Sequence, residues 1–436
     1  MVNKLIEMPP NNRYFQFVIR SIEAKKFPPF SDFHLELPPV DGKPEDLGEV
    51  HLFTGVNGTG KTRILSVIAA MLGASQPLMR RLKGSEAASF SVSNTYMPPG
   101  QMPNRNWYPF TVHSTGGLQW LRLDEFVNKL GTIPAFAYGA NPYVSDQQIT
   151  MMAEVPRPSR DACLSFTYLE NSKLLLQAIA NLKIRAAMEF QSSSDGNGRD
   201  SEGTCMRLVR VLESTVSKVT GLPFRFIVDS YPFSLRVEWG KANLSFDLLP
   251  DGLRSILGWL VHALVMTEVW LQGKEDPQKT EAIFLLDEIE SHLHPAWQRK
   301  ILPAFQRIFP KAQIFVATHS PFVIASLNHG WIHPITLAND GVAKLEPLIS
   351  PSKGHSYVTV VEEIMGIKEW YDPETEELLA QFRTARDDAF AGDENARTKA
   401  RDLAIEIGRR SIELDYMMGR EVLQMDRHIA KTLVPQ

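Results

Sequence analysis

Gly55-Val56-Asn57-Gly58-Thr59-Gly60-Lys61-Thr62 fits the pattern G-x-x-x-x-G-K-[ST] in full. Its setting decides the fold. A short apolar strand, Val50 to Phe53, runs into it, and a helical pattern, Thr62 to Leu72, leaves it. In that order, successive backbone N–H groups wrap a β-phosphate, and the helix N-terminus favours the anion. Gly58 and Gly60 permit close approach of backbone to phosphate. Lys61 is placed to reach the β- and γ-phosphates, and the Thr62 hydroxyl to ligate Mg²⁺. Gly55, Asn57, Thr59 and Arg63 complete the expected contacts with ATP. The competing reading is a chance glycine-rich turn, which does not explain the strand and helix around it.

Working outward, Ile283-Phe284-Leu285-Leu286-Asp287-Glu288 is an apolar strand that ends in two carboxylates. Ligands of open α/β sheets bind at that end of the strands. Asp287 is expected to hold Mg²⁺ through water, and Glu288 to orient or deprotonate the attacking water. Ala317-Thr318-His319-Ser320-Pro321 follows a second buried strand, Ile314 to Ala317, and offers His319 to the γ-phosphate. The expected catalytic residues are Glu288, His319 and Lys61, and the expected metal ligands are Thr62 and Asp287.

The chain has 436 residues, enough for two or three domains. Hydrophobic residues at 44% and charged residues at 22% argue against wholesale disorder. A net charge of −4 excludes a polybasic binder, though not a local basic patch. Two cysteines, Cys163 and Cys205, exclude a disulfide scaffold and a cysteine-rich zinc site. Met1 to Tyr14 lacks the apolar stretch of a signal peptide, and the apolar run Leu257 to Leu271 carries His262 and Glu268. A cytoplasmic protein with no membrane association is expected.

Tyr14–Ile22 and Phe33–Leu37 read as strands. Ser75 to Leu118, polar and rich in Pro, Gly and Asn, reads as an insertion or long loop with some hidden structure. Ile133–Tyr138 reads as a buried strand, and Tyr168–Phe190 and Met206–Val219 as helices. Three strands are expected at Phe224–Val228, Phe233–Val237 and Leu244–Leu248, then a helix from Gly252 to Leu271. Pro295–Ile308 reads as helical, and Val358–Gln436 as a charged helical tail broken at Ala389–Asp393. The non-alternating apolar strands suit a parallel sheet covered on both faces.

Asp287-Glu288-Ile289-Glu290-Ser291-His292-Leu293-His294-Pro295, followed by Ala317 to Pro321, resembles the ABC-type ATPases of the SMC/RecF-like branch. More narrowly, it resembles stand-alone bacterial AAA-annotated ATPases of antiphage defence, of the Septu, retron and overcoming-lysogenization-defect types. The opening, Ile19-Arg20-Ser21-Ile22 through Phe27 and Phe33 to Leu37, is similar to that family's first hairpin. The resemblance covers roughly Tyr14 to Leu327. It implies an α/β ABC-type P-loop ATPase head with a mixed sheet, an antiparallel subdomain, a helical insertion and a helical C-terminal tail. The expected division is an N-terminal lobe over residues 1–74 and an insertion with a lid over 75–245. A C-terminal lobe over 246–350 and a helical region over 351–436 follow.

The same resemblance implies a homodimer, or higher homo-oligomer, that sandwiches two ATP molecules head to head. Each nucleotide would meet a P-loop and the partner copy's signature. The candidate signature is Leu249-Pro250-Asp251-Gly252-Leu253-Arg254-Ser255, with Asp251, Gly252 and Ser255 as contacts. Pro250 stands where the family's L-S-x-G pattern has serine, so a phosphate contact is lost unless Ser255 or a backbone group compensates. The plain alternative is a turn before a core helix. His292 and His294 read as interface or structural residues rather than zinc ligands.

No TOPRIM-like acidic pattern follows Pro321 and no H-N-H-like cluster is evident, so an effector such as a nuclease is expected from another chain. The function implied is a nucleotide-dependent dimerisation switch that controls this effector. A RecF-like repair ATPase and a weakly hydrolysing ATP-dependent scaffold are the alternatives. An energising subunit of a membrane transporter fits less well, because the L-S-G-G-Q pattern is missing. DNA as a further partner rests on Arg80-Arg81-Leu82-Lys83 with Trp107 and Tyr108, and on Arg409-Arg410. Gln147 and Gln148 are candidates for a glutamine near the γ-phosphate.

Overall fold

The structure, a computed structural model, describes residues 18–25, 27–74, 88–96, 104–112, 118–120, 133–140, 144, 147–166, 172–194, 203–351 and 356–432. Chain packing separates two units, Met1–Val360 and Val361–Gln436.

The first unit opens with β1 (Ile19–Lys25), β2 (Asp32–Glu36) and β3 (Glu49–Thr54), then the P-loop and α1 (Lys61–Met71). Strands β4 (Ala88–Tyr96), β5 (Asn104–Val112), β6 (Leu118–Trp120) and β7 (Ala135–Tyr138) follow. Next come α2 (Ser172–Ser194), α3 (Thr204–Thr220) and the meander β8 (Phe224–Ser230), β9 (Phe233–Trp239) and β10 (Ala242–Leu244). Helix α4 (Asp251–Leu271) contains a π-helical turn at Leu257–Val261. The unit continues through β11 (Ile283–Asp287), α5 (Pro295–Ile308), β12 (Gln313–Ala317), α6 (Pro321–Ser326), β13 (Trp331–Leu337) and β14 (Ala343–Leu345).

Six strands form the central sheet in the order β14-β13-β3-β12-β11-β7. All are parallel except β14. Every residue of β7, β11 and β12 is buried, which is why these strands read as continuous apolar runs. Register fixes the site: Phe53, Ala317 and Asp287 lie side by side on β3, β12 and β11. The three segments that follow them, the P-loop, Thr318-His319 and Glu288, therefore leave the sheet at one edge.

Helix α1 buries Ile64, Leu65, Val67 and Ile68 and packs on β11 and β12. Among the described residues α4 is the one helix long and apolar enough to cross a membrane, and 89% of its apolar stretch is buried inside the fold. The side chain of Gln313 joins the central sheet to β1, accepting from Ile19 N at 3.0 Å and donating to Ile19 O at 2.9 Å.

One expectation is made specific and one is corrected. The stretch Ser75–Leu118, read as an insertion or long loop with some hidden structure, supplies β4 and β5, which extend an antiparallel sheet ordered β2-β1-β4-β5-β6. β4 pairs with β1, far back in the chain, while β5 pairs with its neighbours β4 and β6. The strand expected at Leu244–Leu248 is shorter and earlier: β10 ends at Leu244, opposite Val237, and Phe246–Leu248 forms a 3-10 turn that buries Phe246.

The second unit contains α7 (Pro373–Phe390), α8 (Glu394–Gly408) and α9 (Ile412–Thr432). Asp372 and Asp393 cap the first two by accepting from backbone N–H groups of the first turn. The break expected at Ala389–Asp393 is therefore a cap-to-cap junction. Leu379, Phe382, Leu403, Ile407, Leu414 and Met418 build the unit's core. Arg410, one of the candidate basic residues, pairs with Glu374 at 2.6 Å within this unit.

Candidate functional site

Glycine is required at both ends of the P-loop for different reasons. A Cβ on Gly55 would lie 2.1 Å from the Ile335 carbonyl oxygen. Gly60 has φ 93°, and a Cβ there would meet Phe30 at 2.8 Å and Pro29 at 2.9 Å. The Pro29-Phe30 turn thus closes against the loop. Arg63, expected among the ATP contacts, donates to the Pro28 carbonyl and braces the same turn. Asn57 and Gly58 are exposed at the loop's crest, and Thr59 is buried, donating to Val56 O at 2.9 Å.

Lys61 folds back over its own loop, donating to Gly55 O at 2.8 Å and Val56 O at 2.9 Å. Burial lowers its ammonium to about 8, against the opposing pull of Asp287, Glu288 and Glu290. A cation held this way gains strongly from an arriving polyanion.

Thr62 Oγ1 donates to Asp287 Oδ1 at 3.0 Å, so the start of α1 and the end of β11 present two oxygen ligands together. One carboxylate and one hydroxyl suit Mg²⁺, which keeps waters and phosphate oxygens in its remaining positions. Among the described residues no group of three or more His, Cys, Asp or Glu side chains could hold a metal. His294 instead caps α5, accepting from Ala296 N at 3.2 Å. Both cysteines are buried, and burial pushes Cys163 up to about 12 and Cys205 up to about 11.

Glu288 is exposed and has φ 55°, a left-handed backbone that costs about 1–3 kcal/mol in a non-glycine residue. Its N–H donates to Ala317 O at 2.9 Å, which ties the kink to β12. His319 is half-buried, and its imidazole is lowered by burial and by the Lys61 charge, with Glu288 opposing. Both causes favour the neutral imidazole. Glu290 Oε1 accepts from His319 N at 2.6 Å, and burial pushes this carboxyl up.

The signature residues form a separate group. Asp251 is exposed, whereas Gly252 and Ser255 are buried, Ser255 at 2% exposure. Ser255 lies on the first turns of α4, five residues after Pro250. Pro250 is the N-cap of α4 and supplies no side-chain hydrogen bond. A Cβ on Gly252 would meet His292 O at 2.9 Å and Trp297 at 3.0 Å, so α4 begins against the segment that follows β11. Gln147 is half-buried and Gln148 exposed in the chain after β7, beside Thr150, which Gln177 holds at both its N–H and its carbonyl. Arg80 to Lys83 lie outside the described residues.

Sequence reasoning missed Glu290, Gln298 and the Pro29-Phe30 brace. The only signal for Glu290 was a third carboxylate close behind Asp287 and Glu288.

Residues 175–325 match a family described as "AAA domain, putative AbiEii toxin, Type IV TA system". Septu protein PtuA of Bacillus thuringiensis is 27% identical over 168 residues, 37% of this chain and 42% of that protein. The retron Ec83 probable ATPase of Escherichia coli is 32% identical over 97 residues, 22% of this chain and 18% of that protein. The chain is similar to a Septu protein and to a retron ATPase. These matches agree with the resemblance carried by the motifs, and they span less than half the length of either relative. An SMC head bound to the C-winged helix domain of ScpA superposes with a TM-score of 0.46 at 16% identity, covering 76% of this chain and 97% of that structure.

Proposed function

We propose that this chain binds ATP with Mg²⁺, hydrolyses it, and dimerises head to head on ATP as the sensor subunit of an antiphage defence complex. The observation that carries the reading is the contact of Thr62 with Asp287 beside Lys61, at the sheet edge that also bears Glu288 and His319. The P-loop N–H groups and Lys61 would hold the phosphates. Thr62 and Asp287 would hold Mg²⁺, which when bound offsets charge on the phosphate oxygens. Glu288 would orient the attacking water and take its proton as the water oxygen bonds the γ-phosphorus and the bond to ADP breaks. His319, neutral, could donate to a γ-phosphate oxygen.

The kinship with Septu and retron proteins supports a defence role with a separate effector such as a nuclease. Asp251 and the first-turn N–H groups of α4 would meet the second copy's nucleotide. A second reading, an assembly scaffold with slow turnover, is favoured by Pro250 at the N-cap of α4. A RecF-like repair role depends on DNA contact, for which the basic residues 80–83 are the candidates.

The test is mass photometry and phosphate release with and without ATP. The wild type should self-associate on ATP and release phosphate. Lys61→Ala should do neither, and Glu288→Gln should remain associated. Phosphate release without association would sink the switch, and indifference to ATP would sink the whole reading.

A further inference from the structure

We propose that Glu290 is a positioning residue for hydrolysis, whose carboxylate sets the place of His319 and makes it depend on the segment that carries Glu288. The proposal rests on the ATPase reading and deepens it. Glu290 stands two residues beyond Glu288 in a turn closed by Ser291 N to Glu288 O at 2.9 Å and Leu293 N to Glu290 O at 3.0 Å. Its Oε1 accepts the His319 N–H at 2.6 Å, a short bond of the charge-assisted kind. Thr318 Oγ1 accepts from Ser320 N at 3.0 Å and so braces the residues on either side of His319.

A second clamp joins the same two segments. Gln298 on α5 donates to Leu293 O at 2.9 Å and Glu290 O at 3.3 Å, and its Oε1 accepts from Ser320 Oγ at 2.6 Å. Ser320 in turn accepts from Phe322 N and Val323 N, capping α6. His319 and its neighbour Ser320 are thus both tied to the chain following β11, by Glu290 and by Gln298. A backbone N–H beside a γ-phosphate sensor could be satisfied by water at little cost. Holding it with a buried carboxylate is costly unless the geometry matters. The geometry that matters is the offset between Glu288, which meets the water, and His319, which meets the phosphate, since small misplacements of such groups cost large factors in rate.

The test is steady-state ATP hydrolysis by the full chain for wild type, Glu290→Leu, Glu290→Gln, His319→Ala and Glu290→Leu/His319→Ala, with thermal midpoints alongside. Glu290→Leu should lower kcat at least tenfold with KM within twofold. Glu290→Gln, which keeps the acceptor, should restore most of kcat. The double variant should be no slower than His319→Ala alone, because both changes remove one function. Losses that multiply in the double variant, or a loss expressed in KM, would overturn the proposal while leaving the ATPase reading intact. A wild type without turnover would overturn both. Should Glu290→Leu not fold, Gln298→Leu replaces it under the same criteria, since it unties Ser320 from the same segment.

Discussion

Thr62 Oγ1 and Asp287 Oδ1 lie 3.0 Å apart, although 225 residues separate them in the chain. The pair joins the two motifs that the sequence presents independently. Its chemistry carries the first prediction. Thr62→Ala should raise the Mg²⁺ concentration needed for half-maximal turnover at least tenfold. Stability should fall by only about 1 kcal/mol, the net worth of one hydrogen bond. A magnesium titration of phosphate release checks the first outcome and thermal unfolding the second.

The Lys61 ammonium, lowered to about 8 by burial, gives a pH dependence with a definite sign. The charged form binds phosphate and is fully present below that value, so ATP affinity should hold at pH 7 and decline as pH rises through 8. Binding an anion restores the charge, so the complex should take up a proton at pH 8 to 9. Calorimetry in two buffers of different ionisation enthalpy reads that uptake directly. Proton release, or none, would contradict the assignment.

Glu288→Gln should leave nucleotide affinity within threefold of wild type and lower turnover by about 10²–10⁴-fold, the usual range for loss of a general base. Mass photometry should then find the ATP-bound dimer persisting where the wild type returns to monomer. Turnover at the native rate would remove Glu288 from the base role.

Gly252 and Asp251 are neighbours with opposite uses. A side chain at 252 meets His292 O and Trp297 within the same chain, so Gly252→Asp should lower the thermal midpoint as well as association. Asp251 is exposed, so Asp251→Arg should block ATP-dependent association while lowering the midpoint less than Gly252→Asp, through the lost charge pairing with Arg254 and the helix N-terminus. Association of the Asp251 variant at the wild-type level would take the start of α4 out of the interface.

Pro250→Ser should act twice. A serine at the N-cap can accept from the first-turn N–H groups, worth about 1 kcal/mol of stability. It also restores the hydroxyl expected in the signature and should raise turnover. A higher midpoint without faster hydrolysis would confine Pro250 to a capping position.

The geometry of the candidate site was legible in the sequence because its parts are local. A glycine-lysine turn between strand and helix, and an apolar strand ending in Asp287-Glu288, each specify their own backbone, and parallel pairing then brings them to one edge. The helical tail was legible for the same reason, with Asp393 and the Ala-Gly break written within a few residues of each other. Three things depended on partners far away in the chain. Strand β4, within Ser75–Leu118, needed β1 as its neighbour. The burial of Ser255 at the start of α4 depended on the packing around that helix. Glu290 acquired a role only when β12 placed the His319 N–H against it. Local patterns settle what a segment can bind. Which side chains remain free to bind is settled by burial, and burial is a property of the whole packed unit.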